Sequence, residues 1–227
     1  MYTSSTDKAA PTPHESPMKN ALAERREIER DERMKRIIAA AKKVFLEKGY
    51  FGTGVRGIAQ EARLSPGAIY YYFSGVDEIY VIICEESFVL INKALMKGMK
   101  SGVTCIEKLE HMAAGFMNYF LKNPEYTDLF VFSNIGWNRV NLRPELSARL
   151  ERALSKSLSL VLSVVEDGKK KGEIRNDVDS IMMVHALWVS IEGLFLLDRR
   201  GLLEKSGFRI RQLLKTQLNI IARGLAP

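Results

Sequence analysis

From Ile37 almost to the carboxy terminus, apolar residues recur three and four positions apart, the spacing that lines up side chains on one face of an α-helix. Nowhere do they alternate as a half-buried strand requires, so the sequence predicts an all-α fold. Ile37, Ala41, Val44 and Phe45 form one stripe. Ile106, Leu109, Ala113, Phe116 and Phe120 form a second, and Leu146, Leu150, Leu154, Leu158, Val161 and Val165 a third. One-sided stripes of this kind belong to helices packed in a bundle. Gly49 stops the first helix, and a second is expected at 54–62. Beyond Gly75 the spacing predicts helices at 76–97, 103–122, 125–137, 144–171, 178–199 and 208–223, separated by Gly, Pro or Asn. No fixed-period repeat suggests a solenoid.

The start of the chain reads differently. Up to about residue 20 it is rich in Ser, Thr, Pro and Ala without any apolar period, the composition of a disordered tail. Residues 21–36 crowd charges of both signs together and read as the solvated lead-in to a helix, with a DNA-contacting arm as the alternative. This divides the chain into a tail at 1–20, a small unit at 21–75 and a larger one at 76–227. Lys and Arg outnumber Asp and Glu by 34 to 27, a formal charge of +7 that suits a polyanionic partner.

Several classes lose support at this stage. Cys84 and Cys105 sit in apolar helical stretches without metal-ligand spacing and read as reduced core residues, so neither metal nor cofactor is expected. The three histidines, His14, His111 and His185, form no ligand pattern, and neither a Gly-rich phosphate loop nor a nucleophile elbow is present. No catalytic residues are assigned and an enzyme is not expected. The first thirty residues lack the apolar core of a secretory signal. Residues 181–197 are nearly all apolar, but they are short for a membrane span and contain His185 and Glu192, so a buried helix in a cytoplasmic protein is expected.

The segment from Thr53 to Phe73 carries the function. A helix-turn-helix needs a second helix with a rigid inner face and an outer face that reaches phosphates and base edges. Ile58, Ala59, Ala62, Leu64, Ile69 and Phe73 supply the inner face; Arg56, Ser65, Gly67, Ala68, Tyr70, Tyr71 and Tyr72 are left outside or at the edge. Ser65 can cap the helix, and Pro66 follows at its first position, where a missing N–H costs nothing. Gly67 and Ala68 are small enough for close approach to bases. Three successive side chains on a helix, each turned about 100° from the last, cannot all be buried on one face, so at least one tyrosine must be exposed.

The runs Ile37-Ile38-Ala39-Ala40-Ala41, Val44-Phe45, Lys48-Gly49-Tyr50, Thr53, Ile58-Ala59, Ser65-Pro66-Gly67-Ala68-Ile69-Tyr70-Tyr71-Tyr72-Phe73 and Asp77-Glu78-Ile79 together resemble the amino-terminal domain of the TetR family. The resemblance implies a transcriptional regulator bound to double-stranded DNA. Tyr70, Tyr72 and Thr53 would contact phosphates, and Arg56, Pro66, Gly67, Ala68 and Tyr71 would face the bases. Arg56 alone among them could pair bidentately with guanine. The sequence departs from the family pattern at Val76, where a phosphate-binding lysine is usual, at Gly54 in place of Thr or Ser, and at Arg63 in place of a turn glycine.

For residues 76–227 the same resemblance implies a bundle for ligand binding and for homodimerisation through the last two helices. Residues 178–197 add their own argument, because a helix apolar around most of its circumference needs a partner on both sides. Trp188, Phe195, Leu213, Leu214, Leu218 and Ile221 are the candidate interface residues, ordinary monomer core being the alternative. A hydrophobic small-molecule effector would need an apolar cavity with a few polar anchors. The candidates are Phe116, Tyr119, Phe120, Phe130, Trp137 and Trp188, with His111, His185 and Glu192 as the polar groups.

Overall fold

The computed structural model describes residues 17–124, 126 and 142–227. All regular structure among them is helical. Helix α1 spans Pro17–Lys48, so the charged lead-in is itself helix and begins inside the stretch read as a tail. Residues 1–16 and the helix expected at 125–137 lie outside the described residues, Tyr126 apart. The Ala, Leu, Glu and Arg residues of 21–33 carry high helix propensity and hold this turn-on-turn extension with little packing, aided by the i,i+4 pair Arg25–Glu29 at 3.2 Å. Burial starts only at Ile37, where the apolar stripe begins.

Helices α2 (Val55–Ala62) and α3 (Pro66–Tyr72) complete the small unit. Ile58, Ala59, Ala62, Ile69 and Phe73 close against Ile37, Ala41 and Phe45 in one core. Arg63 makes the turn between them in the left-handed region, with φ 55° and ψ 48°, and its N–H returns to the carbonyls of Ala59 and Gln60. This is the turn position where the family usually carries glycine.

Helix α4 (Val76–Ser101) leads out of that unit into the larger bundle of α5 (Cys105–Lys122), α6 (Pro144–Lys170), α7 (Ser180–Arg199), α8 (Leu202–Lys205) and α9 (Ile210–Leu225). Sequence periodicity places the long helices to within a few residues but passes over α8, a single turn too short to show a period. At 26 residues α4 is about 39 Å long, enough to reach from the small unit deep into the bundle. Its buried polar groups are paired: Ser87 with the Tyr119 hydroxyl at 2.9 Å, and Asn92 with Ser157 at 2.8 Å. Gly98 lets α4 touch α5, since a Cβ there would lie 2.5 Å from the Met112 amide nitrogen.

Helix α7 is long and apolar enough to cross a membrane by composition, yet Met183, Val184, Leu187, Ile191 and Phe195 are buried in the bundle. Its opposite face is open: Met182 is 71% and Val189 65% exposed, and Ile220 on neighbouring α9 is 66% exposed. This corrects the choice of candidate interface residues, because Phe195, Leu214 and Leu218 are buried within the subunit. Circumferential apolarity does not say which side faces inward.

Candidate nucleic-acid interface and effector cavity

Ser65 caps α3 as its sequence position requires, its hydroxyl accepting from the Ala68 N–H at 3.2 Å, and Pro66 occupies the first turn. The α3 surface beyond this cap is open. Tyr71 is 79% and Tyr70 60% exposed, while Tyr72 is half-buried with its ring edge-on to Tyr71 at 4.9 Å. Arg56, Ser65, Pro66 and Gly67 are exposed and Ala68 is partly so. One short surface therefore holds a cation, three phenols and a pair of small residues over an apolar base. Thr53 is half-buried and donates its hydroxyl to the Gly49 carbonyl at 2.7 Å, so toward a phosphate it would have to rotate. Gly54 precedes α2 without any side-chain cap.

The unit is tied to α4 at several points. The Tyr50 hydroxyl donates to the Asp77 carboxylate at 2.7 Å, and its ring lies 4.8 Å from that of Tyr80. Burial, with Asp77 second, pushes the Tyr50 phenol well above its ordinary pKa. Glu78 accepts from the Ser74 N–H at 2.6 Å and from its hydroxyl at 2.7 Å. The Ser74 N–H first, with Arg149 and Arg143 further down, holds the Glu78 carboxyl below its usual range. From the start of α6, Arg143 donates to the Ser74 hydroxyl at 2.5 Å, and Arg149 grips Glu85 with two nitrogens at 3.0 and 2.5 Å. Val76 offers no charge here, and the first turn of α4 carries acids instead.

The bundle holds a small apolar cavity of about 50 Å³. Leu95 of α4, Leu109, Met112, Ala113 and Phe116 of α5, and Ser157, Leu158 and Val161 of α6 form three sides; Val184, Leu187, Trp188 and Ile191 of α7 close it. The Phe116 and Trp188 rings meet at 5.9 Å. Of the sequence candidates, the structure brings Phe116 and Trp188 to this wall. Tyr119 and Phe120 are buried beside it, Tyr119 spending its hydroxyl on Ser87. Phe130 and Trp137 lie outside the described residues.

The polar anchors fall elsewhere, which corrects the expectation of inward-facing polar groups. His185 is exposed on the outer face of α7 with Nδ1 2.8 Å from the Ile181 carbonyl, and half-buried Glu192 is not part of the wall. His111 is exposed, paired with Ser101 at 3.0 Å, and lines a separate groove between α5 and α9. A helix of low amphipathicity gives no sequence signal of its inner side. Ser157 was missed because a serine within an apolar stripe reads as a neutral interruption; its pairing with buried Asn92 appears only once α4 and α6 are side by side. Among the described residues no cluster of His, Cys, Asp and Glu could hold a metal.

These features define a helix-turn-helix unit mounted on a helical bundle with an internal cavity. Residues 37–81 match the family model of bacterial regulatory proteins of the tetR family. The chain is 24% identical over 142 residues to the HTH-type transcriptional repressor NicS of Pseudomonas putida, an alignment covering 63% of this chain and 66% of that protein. It is 27% identical over 143 residues to a fatty acid metabolism regulator protein of Bacillus subtilis, covering 63% and 71%. The fold superposes on the crystal structure of the transcriptional regulator FadR from Bacillus subtilis in complex with stearoyl-CoA with a TM-score of 0.69, at 20% identity over 84% of this chain and 98% of that one.

Proposed function

We propose that this protein is a cytoplasmic, homodimeric transcriptional repressor that binds a pseudo-palindromic DNA operator and is released by a hydrophobic small molecule. The observation that carries the reading is the α3 surface, where exposed Tyr70 and Tyr71 stand beside Arg56 on a base fixed by Ile58, Ile69 and Phe73. Tyr70 and Tyr72 hydrogen-bond phosphates and, with Thr53 and the Ser65 end of the helix, set the register. Arg56 reads guanine in the major groove, while Pro66, Gly67, Ala68 and Tyr71 lie against base edges and thymine methyls. A seven-residue helix spans few base pairs, so specificity requires two copies. The exposed faces of α7 and α9 at Met182, Val189 and Ile220 provide an apolar seam for that pairing.

An effector in the apolar cavity presses on Leu95 of α4 and on Ser157, whose partner Asn92 is also on α4. Helix α4 holds the reading unit through Tyr50 and Tyr80, so a tilt of α4 changes the spacing of the two recognition helices. Only a ligand with unequal affinity for the two arrangements produces release.

Selection of bound duplexes from a random pool tests the reading. A two-fold symmetric motif is expected; Arg56→Ala then relaxes preference at one position per half-site, whereas Tyr72→Phe weakens all duplexes alike. Recovery of no motif, or of the reverse pattern in the two variants, would refute it.

A further inference from the structure

The first turns of α1 take no part in the reading surface described above. Residues 21–33 are exposed helix without a core of their own, and burial begins only at Ile37. At 1.5 Å per residue, Arg26 stands about 16 Å beyond Ile37 along the helix axis. The charges on this rod are sorted by face. With a turn of about 100° per residue, Arg26, Arg30 and Arg33 fall in one column, and Glu24, Glu27 and Asp31 fall in another about a third of a turn away. Arg25 is spent on Glu29 at 3.2 Å, whereas Arg26, Arg30 and Arg33 make no ion pair among the described residues. Like charges three and four residues apart destabilise a helix, and an anion laid along the column would offset that cost. The column also continues the side of α1 that faces α2. Arg26 and Arg33 precede Val44 by 18 and 11 residues, five and three turns, and a Cβ placed on Gly57 of α2 would lie 3.6 Å from Val44 Cγ1. Beside Gly57 is the exposed Arg56.

We infer that this column is a second DNA contact: Arg26, Arg30 and Arg33 lie along the phosphates that flank the base pairs read by α3. This rests on the reading of α3 as a major-groove element and lengthens its footprint. The three guanidinium groups are spaced by rises of about 6 and 4.5 Å along α1, so each can meet a separate phosphate of a strand that advances about 3.4 Å per nucleotide along the duplex axis. Each offers paired donors to phosphate oxygens. The acidic column is turned aside, which keeps its carboxylates off the backbone. A helix already formed presents the arginines without the ordering cost that a flexible segment pays on binding. The column also supplies cations that the first turn of α4, carrying Val76, Asp77 and Glu78, does not. Phosphates carry no base identity, so the column adds affinity and salt dependence and leaves sequence preference to α3.

The test is the slope of log affinity against log salt for a selected duplex with flanks of about ten base pairs, in the full-length protein. Arg26→Gln, Arg30→Gln and Arg33→Gln are combined; glutamine keeps the helix propensity and removes only charge. The slope should become shallower by about 2–3 for each chain bound, since each phosphate contact contributes about 0.9. The ratio of affinities for the selected and a scrambled duplex should stay within about twofold of the parent's. Trimming the flanks should weaken the parent and leave the triple variant little changed. A control that removes three exposed cations from the bundle, Arg152→Gln, Lys156→Gln and Lys205→Gln, should alter the slope far less. A triple variant with the parent's slope, or a control that flattens it equally, overturns the arm while the reading of α3 stands. An unchanged slope together with arginine-dependent binding to phosphatidylglycerol vesicles also overturns it and assigns the column to a membrane surface. No preference of the parent protein for any duplex refutes the reading of α3 and this inference together.

Discussion

Arg63 gives the most quantitative test of the reading unit. It turns the chain between α2 and α3 at φ 55°, the single positive-φ position held by a residue other than glycine among the described residues. A left-handed backbone costs an L-residue with a Cβ roughly 1–2 kcal/mol, and glycine escapes that cost. Glycine in turn frees the unfolded chain by roughly 0.4–1 kcal/mol. The difference predicts that Arg63→Gly stabilises the protein by about 0.5–1 kcal/mol, a rise in Tm of about 1–4 °C for a chain of this size. Arg63→Ala keeps the Cβ and the strain while deleting the same exposed side chain. Charge effects therefore cancel between the two variants, and glycine should exceed alanine by about 1 kcal/mol. Thermal and urea unfolding at one fixed protein concentration measures both, so that any association of chains acts on the two variants alike. Alanine as stable as glycine, or more so, would refute the assignment of strain to this turn.

Three further outcomes follow from the packing. Gly98→Ala places a Cβ 2.5 Å from the Met112 backbone nitrogen, where no flexible atom can yield, and should cost about 3 kcal/mol or more, read as lost soluble yield or a collapsed Tm. Tyr50→Phe retains the ring packing on Tyr80 but loses the bond to Asp77, and should lower the urea midpoint by the equivalent of about 1–2 kcal/mol. The Glu78 carboxyl is held below its unfolded value, so its contribution is present above that value and disappears as pH falls through the lowered folded one; Glu78→Gln should flatten the acid limb of a stability-against-pH curve from the ordinary carboxylate range downward.

How much of this was legible beforehand depended on whether local chemistry or tertiary placement decided the outcome. Ser65 and Pro66 start α3 through bonds three residues long, and the three successive tyrosines forced exposure by rotation alone; both follow from the sequence without knowledge of neighbours. The stripes likewise predict the long helices. The inner side of α7 is another matter. Its apolar residues surround the axis, so nothing local distinguishes buried Phe195 from exposed Val189, and His185 and Glu192 were misplaced for the same reason. Cavity walls contributed by four helices, and the Asn92–Ser157 pair that links two of them, depend on which helices pack together. The helical state of residues 21–36 was obscured by the absence of an apolar face, although their propensity favours it.

In the proposed function α3 reads the groove and is presented in two copies. Titration of a fluorescent duplex carrying the selected motif, against a scrambled duplex over a range of salt, measures this directly. Two chains should bind each motif duplex, with affinity falling steeply as salt rises and exceeding that for the scrambled duplex by about a thousandfold, and Tyr71→Ala should shrink that ratio. Equal, salt-insensitive binding of both duplexes, or a discrimination ratio indifferent to Tyr71, would contradict it.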